Sequence, residues 1–351
     1  MNAEDVDARL QAYRGSVPGA SVLVVDHGTP RVRVACGCAD LERGEPATPA
    51  TNYRLASLTK QFTAAAIALL VEDGRLGFDD RVRDWLPSLP GSIAPVTLRQ
   101  LLTHTAGLID YEDLIAPGAT GALRDADVLA LLEREDRTYF PPGTAYRYSN
   151  GGYALLALTV ERAAGTRFAA FLRRRLFEPL GMHDTVAFEA GISTVPHRAY
   201  GYSAVGGAWV RTDQDATSSV LGDGGIYSSI DDLAKWDAAL YDDRLLGAGT
   251  RRSLFTPTTP TDDPAVRYAM GWRVSGETWW HSGESIGFRN VIVRHPRRRL
   301  TVIVLTNRND PQPYRMALAI AQSARPARTR GPGSSAAGII AGRVPPGPGG
   351  C

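Results

Sequence analysis

The sequence predicts an α/β protein of the α+β kind, with one antiparallel sheet built from both chain ends, flanked by helices and interrupted by a mostly helical insertion. Three observations carry that prediction. Alternating, β-rich runs occur near the two ends of the chain. A long apolar run at helical spacing follows the first pair of them. Between about 76 and 259, helical patterns alternate with loops rich in Gly and Pro.

In chain order, Ala20 to Val25 and Arg31 to Gly37 read as two strands joined by a turn at Asp26-His27-Gly28. Leu58, Phe62, Ala65, Ala66, Leu69 and Leu70 then recur at helical spacing, and Gly74 is the stop. That helix begins at Ser57, which can itself serve as the N-cap. Thr97-x-x-Gln100 is a capping box ahead of Leu101-Leu102, Gly151 to Ala164 is a helix closed by Gly165, and Ser229-x-x-Asp232 is another capped start. Strand character returns at Tyr268 to Val274, Glu277 to His281, Phe288 to Arg294 and Leu300 to Thr306. His295 to Arg299 makes the last two a hairpin, and Met316 to Ala324 is a closing helix. Residues 1–325 thus form one domain, with a sheet region at about 10–75 and 260–325 and a helical region at about 76–259. Pro, Gly, Ser and Ala without a period make 326–351 a disordered tail.

The 351 residues carry 44% hydrophobic and 22% charged side chains, enough to build a large core. A net charge of +2 gives no reason to expect nucleic acid or an anionic membrane as partner. No apolar run is long enough to span a bilayer, and the acidic start Met1-Asn2-Ala3-Glu4-Asp5 lacks the features of a secretory signal. The expected location is the cytoplasm, or outside the cell if the true start lies upstream. Cys36 and Cys38 fall on one face of a strand, too close in sequence for an unstrained bridge, and the six histidines show no metal-ligand spacing. No metal and no cofactor are expected, and the oligomeric state is left open.

Lysine is the most informative residue. It occurs only at 60 and 235, whereas every other strong base is arginine. A guanidinium never releases its proton, but an amine can be tuned to do so, so a retained lysine points to proton transfer. Ser57-Leu58-Thr59-Lys60 places a hydroxyl and an amine one helical turn apart, on the same face and at a positive helix end. A serine is a weak nucleophile until a neighbour takes its proton, and Lys60 is spaced to do that. The pair alone is also compatible with a capping serine and a surface lysine. Tyr148-Ser149-Asn150 offers a phenol for proton relay and an amide for a substrate carbonyl, although Asn150 is equally good as a helix N-cap. His281-Ser282-Gly283, ahead of Glu284, ends an aromatic strand. Such an edge aims backbone N–H groups at a substrate oxygen, and His281 faces the site as a donor or partial charge unless it is a satisfied strand histidine.

In this order the three motifs resemble the serine β-lactamase and penicillin-binding-protein superfamily, which carries Ser-x-x-Lys, then Tyr-x-Asn, then Lys/His-Ser/Thr-Gly. Leu101 to Leu108, Pro179-Leu180-Gly181-Met182 and Gly224 to Ser229 followed by Asp232-Leu233 also look like family segments. The resemblance runs from about 10 to 324 and is closer to class C enzymes and their esterase and D-aminopeptidase relatives than to class A. It implies a β-lactamase/transpeptidase-like fold, Ser57 as the acylated nucleophile, Lys60 as its proton acceptor and Tyr148 as the second member of the relay. Asn150 would bind the substrate amide or carbonyl, with His281, Ser282 and Gly283 lining the substrate. The backbone N–H groups of Ser57 and Glu284 would form the oxyanion hole. The implied activity is that of a serine hydrolase on an ester or amide, of carboxylesterase, D-aminopeptidase or carboxypeptidase type, with a small molecule or short peptide as substrate. A penicillin-binding D-alanyl-D-alanine carboxypeptidase or a β-lactamase is the alternative, and a non-catalytic ligand-recognition protein on the same fold a further one. His281, where classical members have Lys, weighs against a carboxylate-bearing substrate unless Arg289 supplies the charge. His104 and His183 are expected to be structural.

Overall fold

A computed structural model describes residues 3–116, 118 and 121–324. The expected tail at 326–351 lies outside the described residues. The main sheet has eight antiparallel strands, in the spatial order Thr259–Pro260, Arg267–Ala269, Trp272–Ser275, Thr278–Ser285, Phe288–His295, Leu300–Thr306, Ala20–Asp26 and Thr29–Cys36. The first strand of the chain pairs with the last in register Val22↔Val304 and Leu23↔Ile303, so the two ends of the sequence meet side by side in the sheet, one strand in from its Thr29–Cys36 edge.

These two strands are buried on both faces, which is why they read as continuous apolar runs. Val22, Val24, Val302 and Val304 face a cluster containing Ala317 and Ile320 of the closing helix Tyr314–Ser323. Leu23, Ile303 and Leu305 face the opposite way, into the larger core shared with the insertion. The helix Lys60–Glu72 runs through this second core and is buried from Lys60 to Leu70. Phe62 stacks on Trp236 at 4.6 Å, and the Trp236 indole N–H donates to Gln61 Oε1 at 2.9 Å. A helix apolar all round belongs inside a protein, and this one is the floor of the site.

The capping box at Thr97 and Gln100 is present with both hydrogen bonds, and Gly165 closes the helix Asn150–Ala164 in the left-handed conformation. Five expectations need correction. Ser57 is not a cap: Ala56–Thr59 is a 3-10 turn and the α-helix starts at Lys60 with no side-chain cap. The cap of the later helix is Ser149, not Asn150. Tyr268 to Val274 is not one strand, because Met270-Gly271 turns the chain back on itself with Gly271 at φ 83°. The strand expected to end at His281 continues to Ser285, which puts the third motif inside it. Cys36 and Cys38 do not share a strand, since Gly37 (φ 73°) breaks the chain between them. Besides its helices, the insertion contributes Ile226–Ser228 and Val186–Ala187 to a small sheet completed by Tyr53–Arg54 from the segment before it. Among the described residues no helix is long and apolar enough to cross a membrane.

Candidate active site

Ser57 sits on the 3-10 turn that feeds the buried helix. In a 3-10 turn the side chains at i and i+3 eclipse, so Ser57 and Lys60 stand directly above one another. Lys60 Nζ lies 3.0 Å from Ser57 Oγ, 2.8 Å from Asn150 Oδ1 and 3.0 Å from the Asp223 carbonyl oxygen. Ser57 is partly exposed, whereas Lys60 is 0% exposed, so the hydroxyl meets solvent and the amine does not. Two of the amine's three partners are carbonyl oxygens, which can only accept. In the uncharged amine both hydrogens go to those oxygens, and the lone pair is left facing Ser57.

The Asp223 carbonyl is held in place from behind. Asp125 accepts the Leu221 and Gly222 N–H groups at 2.9 Å each, and Thr63 Oγ1 donates to the Gly222 carbonyl at 2.7 Å. A Cβ on Gly222 would stand 2.2 Å from the Tyr153 carbonyl oxygen, so glycine lets this segment press against the helix that carries Asn150. Burial pushes the carboxyls of Asp125 and Asp223 up to about 7.

Asn150 is the first residue of its helix. With Ser149 as cap, accepting from the Gly152 N–H, the Asn150 amide is free to reach Lys60 through its oxygen and Glu112 Oε1 through its nitrogen, at 2.7 Å. Tyr148 packs against His104 with ring centroids 4.2 Å apart and the rings tilted by 33°, and Lys60 Nζ lies 5.0 Å from the phenol ring centroid. His104 Nδ1 accepts the Ser149 N–H at 3.1 Å, and burial drives its pKa well below the usual histidine value, so it is a neutral structural support.

The third motif approaches from the sheet. Beyond Trp280 the strand Thr278–Ser285 no longer pairs with Trp272–Ser275, so its free edge faces the 3-10 turn. Gly283 is essential to that approach, because a Cβ there would lie 2.0 Å from the Leu55 carbonyl oxygen. The two-residue turn Ile286-Gly287 closes on the pair Ser285↔Phe288. Antiparallel pairs alternate between hydrogen-bonded and open, which turns the Glu284 N–H away from the neighbouring strand and toward the Ser57 side.

His281 departs from expectation. Its Nδ1 donates to the Ser282 carbonyl at 2.6 Å and its Nε2 takes the Tyr268 hydroxyl at 3.1 Å. Burial, then the charges of Arg273 and Lys60, hold its pKa well below the usual value. It is a neutral residue whose ring nitrogens are both used internally, and it offers the substrate no charge. Arg289 does not supply one either: it donates to the Ser285 and Phe288 carbonyls and stands 3.7 Å from the Glu284 carboxylate. On the strand beside the motif, the Arg273 guanidinium lies 5.5 Å from the Tyr148 ring centroid, with no ion pair among the described residues. Arg273, Glu112 and Asp223 were not anticipated from sequence. The one available signal was for Arg273, which follows an aromatic residue on a strand adjacent to the motif.

A family model described as Beta-lactamase matches residues 5–325. The chain is 32% identical over 317 residues to penicillin-binding protein 4* of Bacillus subtilis (strain 168), covering 85% of this chain and 70% of that one. It is 27% identical to protein flp of Staphylococcus aureus (strain MRSA252) and spans 61% of that protein's length, with 85% of its own covered. The solved structure of D-amino acid amidase from Ochrobactrum anthropi SV3, complexed with L-phenylalanine amide, superposes with a TM-score of 0.79 over 92% of this chain and 98% of that one. At 23% identity, that likeness is one of fold.

Proposed function

The chain belongs to the beta-lactamase family of serine hydrolases, and on that premise we propose that it cleaves an ester or amide through an acyl-enzyme on Ser57. The observation that carries this reading is the 3.0 Å contact between Ser57 Oγ and an amine whose other two contacts are carbonyl oxygens. Ser57 Oγ attacks the carbonyl carbon as its proton passes to Lys60 Nζ. The carbonyl oxygen takes up negative charge between the N–H groups of Ser57 and Glu284. Collapse of that intermediate breaks the bond to the leaving alcohol or amine, which departs with a proton relayed by Lys60 and Tyr148. Water then adds to the Ser57 ester, giving its proton to the same pair, and its collapse releases the acid and restores the hydroxyl.

Arg273 favours a second, narrower reading, in which the substrate carries a carboxylate, as the substrates of carboxypeptidase and β-lactamase relatives do. A hydrogen-bonded charge pair contributes about 1.5–3 kcal/mol, or roughly 10- to 100-fold in binding. Arg273→Met is therefore expected to lower kcat/KM for a chromogenic cephalosporin or a carboxylate-ended D-amino-acid peptide by that factor. A neutral short-chain ester or D-phenylalanine amide should change little. Equal losses on charged and neutral substrates would remove the narrower reading. Failure of every ester, amide and cephalosporin with the unaltered protein would remove the broader one.

A further inference from the structure

We propose that Glu112 is a positioning residue for this chemistry: it fixes which way the Asn150 amide faces and so keeps the lone pair of Lys60 on Ser57. The proposal rests on the reading that Ser57 and Lys60 perform the chemistry.

Four groups form one chain of contacts: Ser57 Oγ to Lys60 Nζ at 3.0 Å, Lys60 Nζ to Asn150 Oδ1 at 2.8 Å, and Asn150 Nδ2 to Glu112 Oε1 at 2.7 Å. An asparagine amide turned by half a revolution fills almost the same space with oxygen and nitrogen exchanged, so shape alone does not choose between the two orientations. The partners choose. A carboxylate oxygen accepts and cannot give, so the Glu112 side of the amide must be its NH2 group, and the oxygen is left for Lys60. In the reversed orientation an N–H would point at Lys60. The amine would then turn its lone pair toward Asn150 and present an N–H to Ser57, which has no use for a donor when it must lose a proton.

Glu112 is itself well anchored. It stands on the 3-10 turn Tyr111–Leu114, whose Tyr111 is buried with its hydroxyl 3.4 Å from Asp223 Oδ2. Burial raises the Glu112 carboxyl above its ordinary value, opposed first by the Asn150 hydrogen bond and less by Lys60, while Asp110 adds to the rise. A protonated carboxyl keeps a carbonyl oxygen, so orientation of the amide needs an acceptor at this position rather than a charge. Asn150 depends on that acceptor because Ser149 has already taken the capping role that would otherwise tie down its side chain.

The test compares Glu112→Met, which keeps the bulk and loses the acceptor, with Glu112→Gln, which keeps an acceptor and loses the charge. Turnover of a neutral ester by the full chain is the readout. The Met variant is expected to lower kcat about 10- to 100-fold, part of the general-base contribution, with KM within about twofold and an unchanged melting temperature. Gln is expected to restore most of that loss. Full activity in the Met variant overturns the proposal, and so does a Gln variant as inactive as Met. If Met impairs folding, Glu112→Leu, which also lacks an acceptor, is read in its place by the same criterion. Ser57→Ala separates the two levels: if it too stays active, the underlying reading falls, whereas an inactive Ser57→Ala beside an active Met variant overturns only the role of Glu112.

Discussion

Lys60→Arg lowers turnover of any acylating substrate by at least about 10³-fold, the loss expected when a general base acting in the transition state is removed. The side chain at 60 is completely buried and reaches three oxygens at 2.8–3.0 Å, a cage sized for a single nitrogen. A guanidinium is planar, presents five donors and keeps its proton, so it can neither fit the cage nor accept from Ser57. Lys60→Met separates the two defects by keeping the length of the chain without any proton acceptor. Both variants should be inactive, with Lys60→Arg also lowering the melting temperature because a permanent charge is buried without a carboxylate partner. Stopped-flow acylation rates with a chromogenic ester, read beside thermal melts, check this. A folded Lys60→Arg enzyme working at near-normal rate contradicts proton transfer to Lys60.

Gly283→Ala is expected to lose about 10²- to 10³-fold in kcat, the effect of losing one oxyanion donor. The added methyl would sit 2.0 Å from the Leu55 carbonyl oxygen and 3.3 Å from the Leu58 nitrogen, both backbone atoms that cannot swing aside. The strand must therefore retreat from the turn that holds Ser57, taking the Glu284 N–H out of the 2.7–3.1 Å range an oxyanion needs. Overpacking of this kind costs about 1–3 kcal/mol of stability, so the variant should still fold. Gly249→Ala, where an added methyl meets nothing within 4 Å, is the matched control and should leave kcat unchanged. Equal activity in the two variants would remove the requirement for close approach of strand and turn.

Much of this architecture was legible in the sequence because burial on two faces leaves a strong mark. Leu300–Thr306, buried along its whole length, is found with its observed bounds. The scarcity of lysine singled out Lys60 without any structural knowledge. What stayed hidden depends on contacts distant in sequence or on the backbone. Met270-Gly271 turns the chain within a run whose apolar residues continue on both sides, so only Gly271 hints at the break. Ser149 and Asn150 are equally good caps by chemistry. The choice between them falls to Lys60 and Glu112, which lie 90 and 38 residues away from Asn150 and occupy its amide. The Asp223 carbonyl is a backbone atom with no side-chain signature, although it completes the Lys60 cage. His281 misleads for a related reason: its neutrality is set by burial and by Tyr268, which the hairpin turn brings alongside. Arg273 reaches the site because a second turn, at Gly276-Glu277, pairs its strand with the motif strand.

The most direct measurement is the mass of the intact protein, followed by that of its peptides, after incubation with a fluorophosphonate. The expected result is one adduct per chain on the peptide containing Ser57, and none in Ser57→Ala. A folded protein that gains no mass, or that carries the adduct on another residue with Ser57 untouched, contradicts the assignment of Ser57 as nucleophile.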